Sequence, residues 1–384
     1  MKISCTQENL NHGLFVVSHL ATKGASLPIL NNVLVQVRDK TITFSTTNLE
    51  IAISCTVRGK IEEDGDFTIQ SRLLADYVGL LPKEPIDLTA PNEAKPGQDQ
   101  ILSVKCKNHT TKIKGQPAAD FPLIPQVKKE NPYAVEYEEF RKAVSQVIFA
   151  VSTSETRPEI GGVFFGFTDG VLTLAATDSY RLAERSLPLQ LKSAKREQKV
   201  IVPVQTLQEL LRILGSFKDP SALADVSTIE IFLVENQILF SFAGIELVSR
   251  LIDGQYPDYQ QIIPQRSNTQ ATLDVSDFVK AAKTTSLFAR SGIYDVSVEF
   301  LPKQKEVVIS STNTQLGESI ARLGGEMSGD DGKMVLNYRY LLDGLQNSNA
   351  DQVEVDLVDA SNPCVIKPVG KDANYLYIIM PIKQ

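Results

Sequence analysis

Three segments of this 384-residue chain repeat one layout, and that repetition limits the possible fold more than any other feature. Phe44–Ser54 reads FSTTNLEIAIS, Leu174–Glu184 reads LAATDSYRLAE and Ile309–Ser319 reads ISSTNTQLGES. In each, apolar residues lead into a Thr followed by an amide or carboxylate: Thr47-Asn48, Thr177-Asp178 and Thr312-Asn313, the threonines lying 130 and 135 residues apart. A period of that size marks a folding unit written several times into one chain. Length alone suggests about two to three domains; the period selects three.

Each copy opens on an amphipathic stripe. Leu10, Gly13, Leu14 and Val17 fall at i, i+3, i+4 and i+7, as do Phe140, Ala143, Val144 and Val147, and then Phe278, Ala281, Ala282 and Thr285. This spacing predicts a helix, and the small residue at i+3 suits close packing on a sheet or another helix. Alternating segments follow: Val33, Val35 and Val37, then Ile42 and Phe44 beyond Asp39-Lys40; and GVFFGFT and VLTLAAT around Asp169-Gly170, a two-residue hairpin signal. A second stripe of Leu74, Tyr77, Val78 and Leu81 recurs as Leu207, Leu210, Leu211 and Leu214 and as Tyr338, Leu341, Leu342 and Leu345. A short apolar strand introduces each one: FTIQ, VIVP or MVLN. The expected fold is α+β, three similar domains of two helices packed on antiparallel sheets. ADFP at 119–122, QYPDY at 255–259 and the terminal Met380-Pro381 close the copies, and the Pro-containing polar stretches 123–132 and 260–268 read as linkers. The resulting domains are 1–128, 129–265 and 266–384.

Hydrophobic residues make up 42% of the chain and charged residues 22%, which excludes a disordered or fibrous protein. No apolar run nears the roughly 18 residues of a membrane span, and MKISCTQENL lacks a signal-peptide core, so a cytoplasmic protein without membrane contact is expected. Cys5, Cys55, Cys106 and Cys364 lie far apart with no disulfide framework and read as buried thiols. His12 and His19 share a helix face without carboxylates at matching spacing, and Cys106 with His109 is a CxxH half-site lacking a second half. Walker, GxGxxG, GxSxG and HExxH patterns are missing, so no catalytic group, metal or cofactor is expected.

Thr177-Asp178-Ser179-Tyr180-Arg181 admits two readings. As a nucleophile with an acid, Asp178, Ser179 and Tyr180 would make the chain an enzyme for a small substrate. Against this, Leu49 and Thr314 replace Ser179 in the other copies, so the shared Thr-Asx pair reads as a strand-end turn in which the Asx side chain bonds nearby backbone. What the middle copy adds is an aromatic ring, a guanidinium and a branched apolar side chain at Tyr180, Arg181 and Leu182, the equipment of a peptide pocket. A peptide-binding scaffold without DNA is a third reading.

The net charge of −7 confines any nucleic-acid contact to one face. Cations on the predicted helices are Arg141, Lys142, Arg212, Lys218, Lys280, Lys283, Arg290 and Arg339, with Lys23 and Arg72 near helix ends of the first copy. Many weakly placed cations can hold phosphates without reading bases.

With LPILNNVLVQV from Leu27, PAADFP from Pro117, ATDSYRLA, GQYPDY and the ending YIIMPIKQ, the chain resembles the bacterial sliding clamp family, the beta subunit of DNA polymerase III holoenzyme, over essentially its full length. The resemblance implies a head-to-tail homodimeric ring with helices lining the hole and sheets outside. Such a ring encircles duplex DNA without sequence preference, tethers the replicative polymerase for processive synthesis, and catalyses nothing itself.

It also implies a cleft between the second and third domains for short linear peptides of polymerase and clamp-loader subunits, repair polymerases and ligase. Matching positions are Arg157, Ile160, Thr177, Ser179, Tyr180, Arg181, Leu182, Pro257, Ile262, Asn337, Tyr340, Ile378, Met380, Pro381 and Ile382. The apolar members would form the anchor surface, and Arg157 and Arg181 would orient the peptide's polar groups. Of the family's DNA-contact positions Arg72 matches and Lys23 stands one place from a common Arg; with the helix cations Lys142, Arg212, Lys280 and Lys283 they are the expected DNA contacts, and the ring joint carries over to Ile113, Leu287 and Phe288. The family often has Gly-His at Ser179-Tyr180, an Arg at Gln261 and a basic-apolar end at Lys383-Gln384, which implies altered peptide preference here. Pro158-Glu159 stands where an aromatic pair associated with DNA is common.

Overall fold

The computed structural model describes residues 1–21, 27–91, 100–190, 197–217, 227–370 and 374–383. Six helices within them sit two to a repeat: α1 (Gln7–Ser18) and α2 (Ser71–Leu80), α3 (Tyr137–Ile148) and α4 (Val204–Leu214), α5 (Val275–Ser286) and α6 (Tyr338–Asn347). The first helix of every repeat springs from a strand and begins at a side-chain cap. Thr6 Oγ1 accepts from Asn9 N (3.2 Å), Glu136 Oε2 from Glu139 N (2.7 Å) and Asp274 Oδ1 from Asp277 N (3.0 Å). Each cap satisfies one of the amides that a helix start leaves open. The predicted stripes are buried in all three. Gly13 shows why the i+3 position is small: a Cβ there would lie 2.5 Å from Val57 Cγ2, on the strand that α1 covers.

The strands after each first helix form a three-stranded meander: Asn32–Arg38, Thr41–Thr47 and Ile51–Val57; then Gly162–Thr168, Val171–Thr177 and Arg181–Pro188; then Asp295–Leu301, Glu306–Asn313 and Gly317–Gly324. Arg38 faces Thr41 and Thr168 faces Val171, closing two-residue hairpins. Both loop residues have positive φ, 52° and 61° at Asp39-Lys40 and 49° and 78° at Asp169-Gly170, as a turn matched to the right-handed strand twist demands. The glycine accepts that conformation at no steric cost, whereas Lys40 is held in it.

Among the described residues the strands assemble into antiparallel sheets of thirteen, nine and four. The two large sheets cross repeat boundaries. Ile245–Arg250, the last strand of the middle repeat, pairs with Ile51–Val57 of the first, Ile245 facing Cys55 and Ser249 facing Ile51. Tyr375–Ile379, the last strand of the third repeat, pairs in the same way with Arg181–Pro188 of the middle one, Tyr375 facing Arg185 and Ile379 facing Arg181. The described chain accordingly gathers into two compact units, one of Met1–Ala134 with Arg212–Leu251 and the other of the remaining residues.

The second helix of the third repeat seats on its sheet at close range. On α6, a Cβ at Gly344 would fall 2.2 Å from ring carbons of the buried Tyr377, whose hydroxyl donates to Tyr340 O (2.9 Å). Ring and helix backbone are in direct contact there. Gly344→Ala therefore lowers stability by about 1–3 kcal/mol through overpacking, although alanine is the better helix former. The midpoint of urea unfolding measures this; an unchanged or raised midpoint contradicts the packing.

Candidate functional site

The Thr-Asx element is a turn in all three repeats. Asn48 Oδ1 accepts from the amides of Glu50 and Ile51 (3.1 and 2.7 Å), Asp178 Oδ1 from Tyr180 and Arg181 (2.9 and 3.0 Å), and Asn313 Oδ1 from Gln315 and Leu316 (2.9 and 3.3 Å). In the first two the threonine hydroxyl adds a second clasp: Thr177 Oγ1 accepts from Ser179 N (3.0 Å) and donates to Arg181 O (2.6 Å), as Thr47 Oγ1 does with Leu49 N (3.0 Å) and Ile51 O (2.9 Å). This forces Leu49 and Ser179 to φ values of 77° and 78°. The third turn is one residue longer and puts Gly317, at φ 102°, in the left-handed region instead.

On the middle turn a guanidinium network is built. Arg181 Nε donates to Asp178 Oδ2 (3.0 Å), Nη1 to Asp343 Oδ2 on α6, and Nη2 to Phe149 O at the end of α3 (2.8 Å). Its Cζ lies 4.6 Å from the Tyr340 ring centroid and 5.5 Å from that of Phe149. Three chain segments thus meet on one planar cation, the geometry that a fixed fork of donors suits. Next to it Arg157 Nη1 donates to Ser179 Oγ (2.9 Å) and Nε to Glu159 Oε1 (3.0 Å).

The chain end completes the site. Met380 N donates to Tyr180 O (2.8 Å) and Ile382 N to Val335 O (2.8 Å), so residues 380–382 run from the middle-repeat turn to the strand that leads into α6. Asn337 caps that helix, its Oδ1 accepting from Arg339 N (2.9 Å). Tyr256 and Tyr259 anchor the 256–263 segment onto the same apolar cluster as Ile160, Leu182 and Ile378. Burial pushes the Glu184 carboxyl's pKa up, with the neighbouring Tyr259 hydroxyl acting against the shift.

Exposure divides the cleft positions in two. Tyr180 is 63% exposed and Ile262 40%, Arg157 and Ser179 lie open, and Pro257, Asn337, Tyr340, Met380, Pro381 and Ile382 are half-buried. Ile160, Leu182 and Ile378 are buried completely or nearly so. The expectation that all apolar members form a contact surface does not fit these three, because Leu182 and Ile378 face each other across the strand pair and pack with Ile160 in one apolar cluster. They support the surface from beneath. Thr177 is likewise buried and spent on its turn.

The cationic positions behave unequally. Lys280 pairs with Asp277 (3.3 Å) and stays exposed, as do Lys283 and Arg72; Lys142 is half-buried on α3; Lys23 lies outside the described residues. Arg212 turns inward, Nη1 donating to Phe15 O (3.0 Å) and Nη2 to Val16 O (2.6 Å), with Cζ 5.0 Å from the Phe15 ring centroid. Of the joint positions, Leu287 is 72% exposed, Phe288 half-buried, and Ile113 already buried within its own chain. Among the described residues no group of three or more His, Cys, Asp or Glu is placed to hold a metal ion, and no helix is long and apolar enough to cross a membrane. Sequence reasoning missed Asp343 and Phe149, since neither carries a local signal and only the fold brings them to Arg181.

Comparison with known proteins bears on all of this. Family profiles of the DNA polymerase III beta subunit match in succession: its N-terminal domain over residues 1–125, its central domain over 134–258 and its C-terminal domain over 260–383. The beta sliding clamp of Staphylococcus aureus (strain Mu50 / ATCC 700699) is 29% identical over 384 residues, covering 97% of this chain and 96% of the relative. The crystal structure of the DNA polymerase sliding clamp from Bacillus subtilis is 25% identical, with a TM-score of 0.90 over 100% of this chain and 99% of that one. That of Pseudomonas aeruginosa bound to griselimycin is 24% identical, with a TM-score of 0.90 over 100% of both chains. Three matched domains in the order of the three repeats, on a fold shared along the whole chain, show that this protein belongs to the DNA polymerase III beta subunit family, the bacterial DNA polymerase sliding clamps.

Proposed function

We propose that two copies of this chain, each of domains 1–128, 129–265 and 266–384, close head to tail into a ring around duplex DNA and tether the replicative polymerase in the cytoplasm. One observation carries the reading: the same strand-to-strand joint is made twice within the chain, and the parts for a third are left open. The counterpart of Ile245–Arg250 and Tyr375–Ile379 in the first repeat is His109–Gln116. Among the described residues it pairs with Gln100–Cys106 along its length and with Gly65–Gln70 at Gly115 and Gln116. The counterpart of Ile51–Val57 and Arg181–Pro188 in the third repeat is Gly317–Gly324, an edge strand. Open edges invite pairing with another chain, and joining these two head to tail in a pair of molecules closes a ring. Apolar side chains left in the open near the same ends, Leu80 (87%), Leu287 (72%) and Ile320 (56%), favour that closure.

Lys280, Lys283, Arg72 and Lys142 would supply a weak, salt-sensitive attraction to phosphates, which permits sliding because no base is read. Tyr180, Ile262, Met380, Pro381 and Ile382 would receive the apolar anchors of partner peptides from polymerase, clamp loader, repair polymerases and ligase, and Arg157 would meet their polar groups. The enzyme reading has little to stand on. Both oxygens of Asp178 accept hydrogen bonds from its own turn, and Ser179 Oγ accepts from Arg157, a group that cannot act as a base.

Two measurements test this. By mass in solution the protein is a dimer at micromolar concentration, and after loading it stays on nicked circular DNA but runs off the linearised form; a one-chain mass with no retention on circles defeats the ring. In calorimetry, Tyr180→Ala with Met380→Ala weakens binding of a polymerase C-terminal peptide by about tenfold or more at unchanged dimer mass. Unaltered affinity removes these residues from the cleft. Leu182→Ala, by contrast, acts through the core and costs about 2–5 kcal/mol of stability.

A further inference from the structure

The last carbonyls of a helix have no partner within it and carry the negative end of its dipole, so a guanidinium is well suited to satisfy them. This happens at both joints inside the chain. At the first, Arg212 from α4 of the middle repeat donates to Phe15 O and Val16 O in the last turn of α1, and its Cζ lies over the Phe15 ring. At the second, Arg181 donates to Phe149 O at the C-cap of α3 and its Cζ lies over the Phe149 ring, while Asp343 from α6 of the third repeat grips the same cation. Arg212 and Asp343 hold the same place in their helices, each five residues beyond the leading member of its stripe, Leu207 and Tyr338. Both joints therefore tie the second helix of one repeat to the end of the first helix of the repeat before it, through a guanidinium stacked on a phenylalanine.

We propose that Arg212 and Arg181 are latches that keep the two intrachain joints shut, and that the joint between subunits is the one built to part because it has no such latch. The position of Arg212 and Asp343 is taken on α2 by Gly79, and that of Arg181, which directly precedes the residue facing Thr177, is taken in the third repeat by Gly317. Neither glycine offers a side chain. At the C-cap of α5, where Phe149 stands on α3, there is the exposed Leu287. Arg212 is on this account a positioning residue of the joint, with its donors withdrawn from DNA. The statement about the subunit boundary rests on the ring reading given above; the statement about Arg212 does not.

Hydrogen exchange on the full-length protein tests the latch. Arg212→Met keeps the alkyl stem and removes the donors, so amides of 51–57 and 245–250 exchange about tenfold faster or more, while those of 181–188 and 375–379 keep their rates. Arg212→Lys, which keeps the charge but not the fork, falls between. Unchanged rates at the first joint, or equal acceleration at both, overturn the proposal, as does a loss of DNA retention in Arg212→Met with exchange unaltered. The missing latch is tested by Gly79→Arg, where an added Cβ meets nothing closer than Asn11 Oδ1 at 3.5 Å. Exchange of labelled subunits between dimers slows about tenfold in that variant; an unaltered exchange rate overturns the assignment of the subunit boundary. A one-chain mass for the unmodified protein removes the ring reading and with it the boundary, and leaves the Arg212 result to stand or fall by its own exchange rates.

Discussion

Backbone hydrogen bonding between repeats is the interaction on which the rest of this molecule depends. The strand that ends one repeat completes the sheet that the preceding repeat leaves open, at Ile245–Arg250 against Ile51–Val57 and at Tyr375–Ile379 against Arg181–Pro188. A sheet edge has unmet donors and acceptors along its length, and pairing it with a neighbour satisfies them while burying the side chains of both faces. The candidate site inherits its position from this joint. Residues 380–382 follow directly on the joining strand, and Tyr180 to Leu182 sit at the end of the strand it joins, so the two halves of the site are set by one ladder.

The middle turn shows how a structural element takes on a special task. Its Asx and Thr clasps are shared with the first repeat and serve only to reverse the chain. Arg181 is the addition. It uses the second oxygen of Asp178, the C-cap carbonyl of α3 and Asp343 on α6, and so fixes one flank of the candidate site while holding two repeats together. Arg157, Ser179 and Tyr180 are then displayed on a rigid base, with Leu182, Ile160 and Ile378 packed beneath. A surface so supported needs little reordering on contact with a ligand, which spares the entropy such ordering costs.

Much of this could be read from local spacing. The three first helices, the Asp169-Gly170 hairpin and the Asx turns each follow from residues within a few positions of one another, because caps, stripes and tight turns are short-range devices. The cleft positions came instead from resemblance to a family, and that reading did not separate contact from support. Leu182 and Tyr180 are two residues apart in the chain, yet one is in the core and the other in the open, since Tyr180 belongs to the turn whereas Leu182 lies in the strand and packs into the apolar cluster beneath it. Arg212 shows the same limit. A cation on an amphipathic helix looks like a solvated residue until the fold brings the end of α1 to it.

The sequence by itself determined the unit, its triplication and its order of helices and strands, because each of those is encoded in periodicity and turn chemistry confined to a few neighbouring residues. Only the tertiary structure decided that the sheets run across repeat boundaries, that Asp343 and Phe149 close on Arg181, and that Gly317–Gly324 is a sheet edge among the described residues. Those outcomes depend on pairing between segments far apart in the chain, where any two β-strands offer the same backbone groups and only the packed whole selects which of them meet.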